Sequence, residues 1–107
     1  MTKVKIDSGI CGMTTTVTAV YDDEEDTVAL TADTMCPAIR AMMDALGDTF
    51  DMFDVTMIKP GTGPFYGYAS EKLPVHPGCP VCAGIYKCIE AECNLALKKN
   101  VSIEFVD

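Results

Sequence analysis

The chain contains stretches with an apolar residue at every second position and stretches with apolar residues three or four apart. The first pattern predicts a strand over residues 3–7. β-Branched residues predict a second strand over 13–21, and alternation predicts a third over 27–33. The acidic segment 22–26 between the last two is predicted to be a solvated turn, so these strands should form an antiparallel meander.

Two later stretches have the spacing of a helix. The first follows Pro37 and ends at Gly47, and its apolar stripe consists of Ile39, Met42, Met43 and Leu46. The second runs from about Pro80 to Leu97, and its predicted buried stripe consists of Val81, Ile85, Ile89 and Ala96.

The remaining segments complete the predicted fold. Phe53, Val55 and Met57 alternate and are interpreted as a strand, residues 60–64 as a loop, and Val101–Val106 as a last strand. That last strand is expected at a sheet edge or beside the first strand. The prediction is a single α+β domain over residues 1–107, with a small antiparallel sheet of three to four strands and helices packed on one face.

Composition narrows the classes of function. The 107 residues include 16 acidic and 8 basic side chains, which gives a net charge of −8. Because phosphates and anionic lipids attract basic surfaces, neither nucleic acid nor a membrane surface is an expected partner. No apolar run of about 18 residues is present, so we expect no membrane span. The opening segment MTKVKIDSG lacks an apolar signal region, so we expect a cytoplasmic protein.

The six cysteines carry the candidate chemistry. Disulfides are rare in reducing compartments, so metal ligands or a redox pair are expected. Cys36 precedes Pro37 and Cys79 precedes Pro80, and proline suits the first position of a helix. Both thiols should therefore lie at helix starts, where the helix dipole favours a thiolate. In a meander, the loop that carries Cys11 and the exit of the third strand lie at the same sheet end.

The positions of the other cysteines and of the single histidine predict different roles for them. Cys82 is one turn from Cys79 and can join it, either as a ligand or as a redox dithiol. Cys88 and Cys93 lie roughly 13 and 21 Å along the helix from Cys79, so they are expected to be core or surface thiols. His76 is either an exposed loop histidine or a further ligand.

Three segments match the ligand loops of a known family in order and spacing. They are Ile10-Cys11-Gly12 with its following acidic turn, Thr31–Ile39 (TADTMCPAI) and Leu73–Cys79 (LPVHPGC). Over about residues 8–95 the chain resembles the U-type iron–sulfur cluster scaffold proteins, the IscU/NifU N-terminal fold. The resemblance implies a three-stranded antiparallel sheet with helices on one face, and Cys11, Cys36 and Cys79 as cluster ligands.

The chain departs from that family's pattern at several places. Met13 stands where the family has an aspartate that is tied to cluster lability and transfer. His76 lies three residues before Cys79, whereas the family's histidine directly precedes its third cysteine. Cys82 is additional, the family's N-terminal helix and chaperone-binding lysine are missing, and Val101–Val106 is added.

These observations lead to one hypothesis and two alternatives. We expect a protein that binds an iron–sulfur cluster or zinc through Cys11, Cys36 and Cys79, with Cys82 or His76 completing the site. A scaffold-like binding role is favoured over an enzymatic one, with a sulfur donor or a cluster-accepting protein as partner. The first alternative is a thiol/disulfide or sulfur-accepting protein that acts through Cys79 and Cys82. The second is an interaction module with buried thiols.

Overall fold

A computed structural model describes residues 1–72 and 76–107. Within these ranges the chain forms a four-stranded antiparallel sheet in the order β1-β2-β3-β4, with helices on one face. The strands are β1 (Thr2–Asp7), β2 (Thr14–Asp22), β3 (Thr27–Thr34) and β4 (Thr49–Asp51). The helices are α1 (Pro37–Leu46), α2 (Met52–Thr56), α3 (Gly63–Lys72) and α4 (Val81–Glu92). The predicted α+β class is confirmed.

Alternation along the strands separates a core face from an outer face. Successive side chains of a strand point to opposite faces, so every second residue enters the core. Ala19 pairs with Leu30 and Val28 pairs with Phe50, and all of these side chains are buried under the helices. The outer face is polar, with Lys3, Lys5, Thr16 and Thr18 along β1 and β2.

Helix α4 runs antiparallel to β1, which fixes the end of the sheet at which it starts. Near its start, a Cβ added to Gly84 would lie only 2.6 Å from Ile6 Cγ1, so the helix backbone lies directly on β1. Further along α4, the Cys88 thiol donates to the Thr2 carbonyl oxygen over 3.3 Å. Thr2 is the first residue of β1, and Ile6 lies near the last. The residues that precede Gly84 in α4 therefore lie toward the end of the sheet that carries the β1–β2 loop.

The segment around Val55 is a helix, so the predicted strand there was wrong. Asp51 caps α2, because its Oδ1 accepts the Phe53 amide over 2.9 Å. Val55 is buried whereas Phe53 and Met57 are exposed, so these three residues do not share one face of a strand. The predicted loop over 60–64 was also too long, since α3 already begins at Gly63.

Helix α4 ends earlier than predicted. Asn94 has a φ of 61°, and the amides of Asn94 and Leu95 donate to the carbonyl oxygens of Ala91 and Glu90. This is the bonding pattern of a left-handed helix end, which turns the chain away from the core. Ala96 is therefore exposed, contrary to its place in the predicted stripe.

The predicted last strand is also absent from the structure. Residues 94–107 have no helix or strand, and all of them are exposed. Val101–Val106 therefore does not pair with the sheet of its own chain, and the sequence prediction for it was wrong.

Candidate functional site

Cys11 lies at the tip of the β1–β2 loop and is exposed. Gly9 and Gly12 have φ values of 85° and 72°, a region that glycine enters without strain. The Gly12 amide donates to the Gly9 carbonyl oxygen over 2.8 Å, and the Ser8 amide donates to the Met13 carbonyl oxygen over 3.2 Å. The loop is thus held by bonds within itself.

Cys36 is the N-cap residue of α1, as its position before a proline predicted. Its amide donates to Thr34 Oγ1 over 3.1 Å, and its half-buried side chain makes no capping hydrogen bond. The preceding Met35 amide donates to the Thr14 carbonyl oxygen over 3.2 Å. Thr14 begins β2 directly after the loop that carries Cys11, so both cysteines lie at one end of the sheet.

Cys79 is half-buried and lies in a tight turn just before α4. The Cys79 amide donates to the His76 carbonyl oxygen over 3.1 Å, and the His76 side chain is exposed. Pro80 is the N-cap of α4 rather than its first helical residue. Cys79 therefore lies one position further from the helix start than the sequence predicted.

We call this part of the molecule the cysteine end, defined by Cys11, Cys36 and Cys79. Cys79 belongs to it because α4 runs antiparallel to β1 and starts beyond Ile6, toward the β1–β2 loop. Within residues 1–72 and 76–107, however, no three His, Cys, Asp or Glu side chains lie close enough to hold a metal ion. The structure brings the three loops to one end of the sheet without bringing the three sulfurs together.

Cys82 lies in the core and is only 4% exposed. Burial, and secondly the charge of Cys79, raises the pKa of the Cys82 thiol to about 11. A thiol with that pKa is protonated at neutral pH, so Cys82 is not a ready nucleophile or ligand in this conformation.

Cys88 and Cys93 are core and partly buried thiols, as predicted. Burial raises the pKa of both thiols, and the charge of Glu92 is a further cause of the raised pKa at each. Both lie toward the opposite end of α4 from Cys79.

An aromatic pair next to Cys82 was missed by the sequence reasoning. The rings of Tyr66 and Tyr86 stack with centroids 5.6 Å apart. Burial raises the pKa of Tyr86 to about 12, and burial followed by the charges of Cys82 and Cys79 raises the pKa of Tyr66. The available signal was the spacing, because Tyr86 follows Cys82 by four residues and shares its helix face.

Two depressions lie on the surface of the described residues. The first, of about 470 Å³, is lined by residues that include Asp51, Asp54 and Gly63. The second, of about 320 Å³, is bordered by Tyr66 and Tyr86. Neither depression is lined by a cysteine or a histidine.

Fold and site together define a small α+β domain with cysteines in one glycine loop and before two helices. The chain belongs to a family of unknown function, DUF6951, which it matches over residues 2–105. No curated protein and no solved structure matches the chain. The family match includes every candidate ligand. In the described part of the chain, no helix has the length and apolar character needed to cross a bilayer.

Proposed function

We propose that this protein binds an iron–sulfur cluster or a zinc ion through Cys11, Cys36 and Cys79. One observation carries the proposal: three loops that are far apart in sequence, each with a cysteine, emerge at the same end of one sheet. The resemblance to U-type cluster scaffolds gives the same three residues, and kinship with that family is part of the proposal. The Leu-Pro portion of that resemblance, residues 73–75, lies outside the described residues.

The donor types fit both groups. Iron–sulfur clusters and zinc are held by cysteine thiolates, and zinc also accepts imidazole. Cys36 is the N-cap residue of α1, and its side chain makes no capping hydrogen bond to the free amide groups of that helix start. The positive end of the helix dipole there offsets the charge of a thiolate bound to a metal.

Forming the site requires a loop movement, and the Cys11 loop is the segment suited to it. Cys11 is exposed, and its loop is held by local hydrogen bonds with glycine at both turning points. Folding that loop over the sheet end would break no contact of the buried core. We infer that the metal or cluster draws Cys11 toward Cys36 and Cys79.

The fourth ligand is better supplied by His76 than by Cys82. His76 is exposed and is linked through its carbonyl oxygen to the Cys79 amide. Cys82 would have to lose its proton and leave the core, and its raised pKa opposes the first step.

The surroundings of the cysteines suit a protein partner. Ile10 and Met35 directly precede Cys11 and Cys36 and are 102% and 60% exposed. Exposed apolar residues beside a functional group favour docking of another protein. A cytoplasmic sulfur donor or a cluster-accepting protein would fit, and Met13 in place of the scaffold family's aspartate predicts slow release of a cluster.

Purification without oxygen tests the proposal. We expect bound iron with sulfide, accompanied by visible charge-transfer absorption, or bound zinc by elemental analysis. Serine at Cys11, Cys36 or Cys79 should abolish binding. Cys93→Ser is the matched control, because Cys93 is also half-buried but lies at the far end of α4, and this variant should bind normally. Full binding in all three ligand variants would refute the assignment.

A thiol function is the second candidate, and the contrast between Cys79 and Cys82 favours it. Cys79 is accessible while Cys82, one turn later, is buried and protonated. A disulfide substrate would accept two electrons and two protons as the Cys79–Cys82 disulfide forms. Mass spectrometry after treatment with oxidised glutathione should then show a loss of two hydrogens that Cys82→Ser prevents. Metal-free protein that forms this disulfide would favour the second function over the first.

A further inference from the structure

The segment that follows α4 exposes an unusual amount of apolar surface. We call residues 95–107 the post-helix segment. Leu97, Ile103 and Phe105 are 93%, 89% and 96% exposed. Apolar side chains grouped on one exposed segment mark an interaction site, because their burial against a partner is favourable.

The post-helix segment has the sequence of a strand. Val101, Ile103 and Phe105 occupy alternate positions, and Ser102 and Glu104 lie between them. Alternation with β-branched and aromatic residues is typical of a strand with one face in a core. Among the backbone hydrogen bonds of the described residues, none joins residues 96–107 to the sheet. A strand sequence is thus left without a pairing partner.

The sheet has one free edge of matching length. Its order makes β1 and β4 the edge strands, and β4 has only three residues before α2 begins. β1 has six residues, as does Val101–Val106, and over the described ranges it pairs only with β2. An unpaired edge presents a row of amide and carbonyl groups to which an extended segment can add.

We propose that residues 101–106 of one copy of the chain pair with β1 of a second copy, and that the exchange is reciprocal. The pairing places Ile103 opposite Val4 whether it is parallel or antiparallel. The apolar face of the segment then continues the core face of β1. Two copies related in this way form a closed dimer with five strands in each sheet.

Charge complementarity supports this partner. With the apolar residues on the core side, Glu104 lies on the outer face, where β1 presents Lys3 and Lys5. Antiparallel pairing puts Glu104 opposite Lys3, and parallel pairing puts it opposite Lys5. Oppositely charged residues across a strand pair stabilise it. The segment is free in the single chain, which favours the β1 of another copy over its own.

Sedimentation equilibrium of the full chain, with a reductant to exclude intermolecular disulfides, tests the proposal. The wild type should be a dimer. Ile103→Asp places a charge on the core face of the added strand in either direction of pairing, and it should raise the dimer Kd at least tenfold. Leu97→Asp changes an equally exposed apolar residue outside the strand and should leave the Kd unchanged. A dimer whose Kd is unchanged by Ile103→Asp, or a monomer at every attainable concentration, would overturn the proposal.

Charge reversal tests whether Glu104 lies on the outer face of the sheet and whether the two strands pair in parallel or antiparallel. Glu104→Lys should raise the dimer Kd by about two- to fivefold, as expected for an exposed ion pair. Lys3→Glu in the same chain should restore the Kd if the pairing is antiparallel, and Lys5→Glu if it is parallel. Restoration by neither would refute the proposed face.

Hydrogen exchange gives an independent readout, because protection of amides 101–106 in a monomer would mean pairing within one chain and would also overturn the proposal.

Discussion

The two ends of the sheet differ in how firmly their loops are held. At the end opposite the cysteine end, which we call the anchored end, Glu92 is 11% exposed and lies 3.3 Å from the Met1 amino group. Glu92 also accepts hydrogen bonds from Thr2 Oγ1 at 2.7 Å and from the Tyr21 amide at 3.0 Å. One carboxylate thus joins α4, β1 and β2.

Among residues 1–72 and 76–107, no comparable connection is formed at the cysteine end. Met35 is bonded to the start of β2, and residues 76–79 form a turn of their own. In the described part of the chain, no side-chain hydrogen bond joins that turn to the loops of Cys11 or Cys36. The comparison teaches that Glu92 fixes the last turn of α4 by hydrogen bonds, and that the first turn is held by burial of Val81 and Cys82. The loops before α4 and after β1 are held by local bonds, and the proposed binding would rearrange these loops.

Removing the carboxylate of the anchored end should have the largest effect on stability. Glu92→Ala leaves the Thr2 hydroxyl and the Tyr21 amide without their acceptor. Hydrogen bonds to charged groups contribute roughly 1.5–3 kcal/mol each, so we expect a loss of about 3 kcal/mol in the free energy of unfolding. Urea denaturation measures it. Glu90→Ala, on the same helix, is the control, and an equal loss in both variants would contradict the anchoring role.

The close contact between α4 and β1 should give the next largest effect. Gly84→Ala places a Cβ against Ile6, and the overpacking should exceed the gain in helix propensity by about 1 kcal/mol. Gly67→Ala lies in the interior of α3 with nothing within 4 Å, so it should stabilise the protein by about 0.5–1 kcal/mol. Thermal unfolding compares the two, and stabilisation by both would contradict the direct contact.

Acid should weaken the anchored end in particular. Burial acts to raise the pKa of Glu92, but the bonds from Tyr21, Thr2 and the amino terminus outweigh it, so the pKa is lowered from 4.5. A carboxylate with a lowered folded pKa stabilises the fold above its unfolded pKa, and this contribution is lost as pH falls through the folded value. Stability should therefore drop below about pH 4.5 more steeply in the wild type than in Glu92→Gln. Parallel pH profiles in urea denaturation would contradict this.

The smallest effect on stability is expected at the cysteine end. Cys11→Ser changes an exposed side chain in a loop bonded only to itself, so stability should stay within about 0.5 kcal/mol of the wild type. Alkylation followed by mass spectrometry should modify Cys11 before Cys82 and Cys88, which are buried. Rapid modification of Cys88 would show that the core opens at the anchored end, contrary to the comparison.

The first three strands were predicted well from the sequence. The bounds of β1, β2 and β3 differ from the prediction by at most one residue at each end. An alternating pattern that is rich in β-branched residues is typical of a strand and does not fit the spacing of a helix. Around Val55 the apolar pattern covers only five residues, too few to separate a strand period from a helix period. The structure has a helix there, which begins after the Asp51 cap. The end of α4 likewise depends on one residue, Asn94, in a left-handed conformation.

The candidate site was predictable in topology but not in detail. A meander places the Cys11 loop and Cys36 at one sheet end from strand order alone, and the structure has this arrangement. The burial of Cys82 and the shift of the α4 start to Val81 depend on packing that periodicity does not reveal. The distance between the sulfurs depends on loop conformation, which glycine at positions 9 and 12 leaves adjustable.

Cobalt titration tests the central claim most directly, because thiolate-to-cobalt absorption reports how many sulfurs bind one ion. Under oxygen-free conditions the wild type should saturate at one cobalt per chain, with an intensity that corresponds to three thiolates. Cys11→Ser, the change at the loop that is proposed to move, should lower the intensity by about a third or abolish binding, and Cys93→Ser should leave it unchanged. An intensity that is the same in wild type and Cys11→Ser, or no thiolate absorption at all, would contradict the convergence of these three loops on one ion.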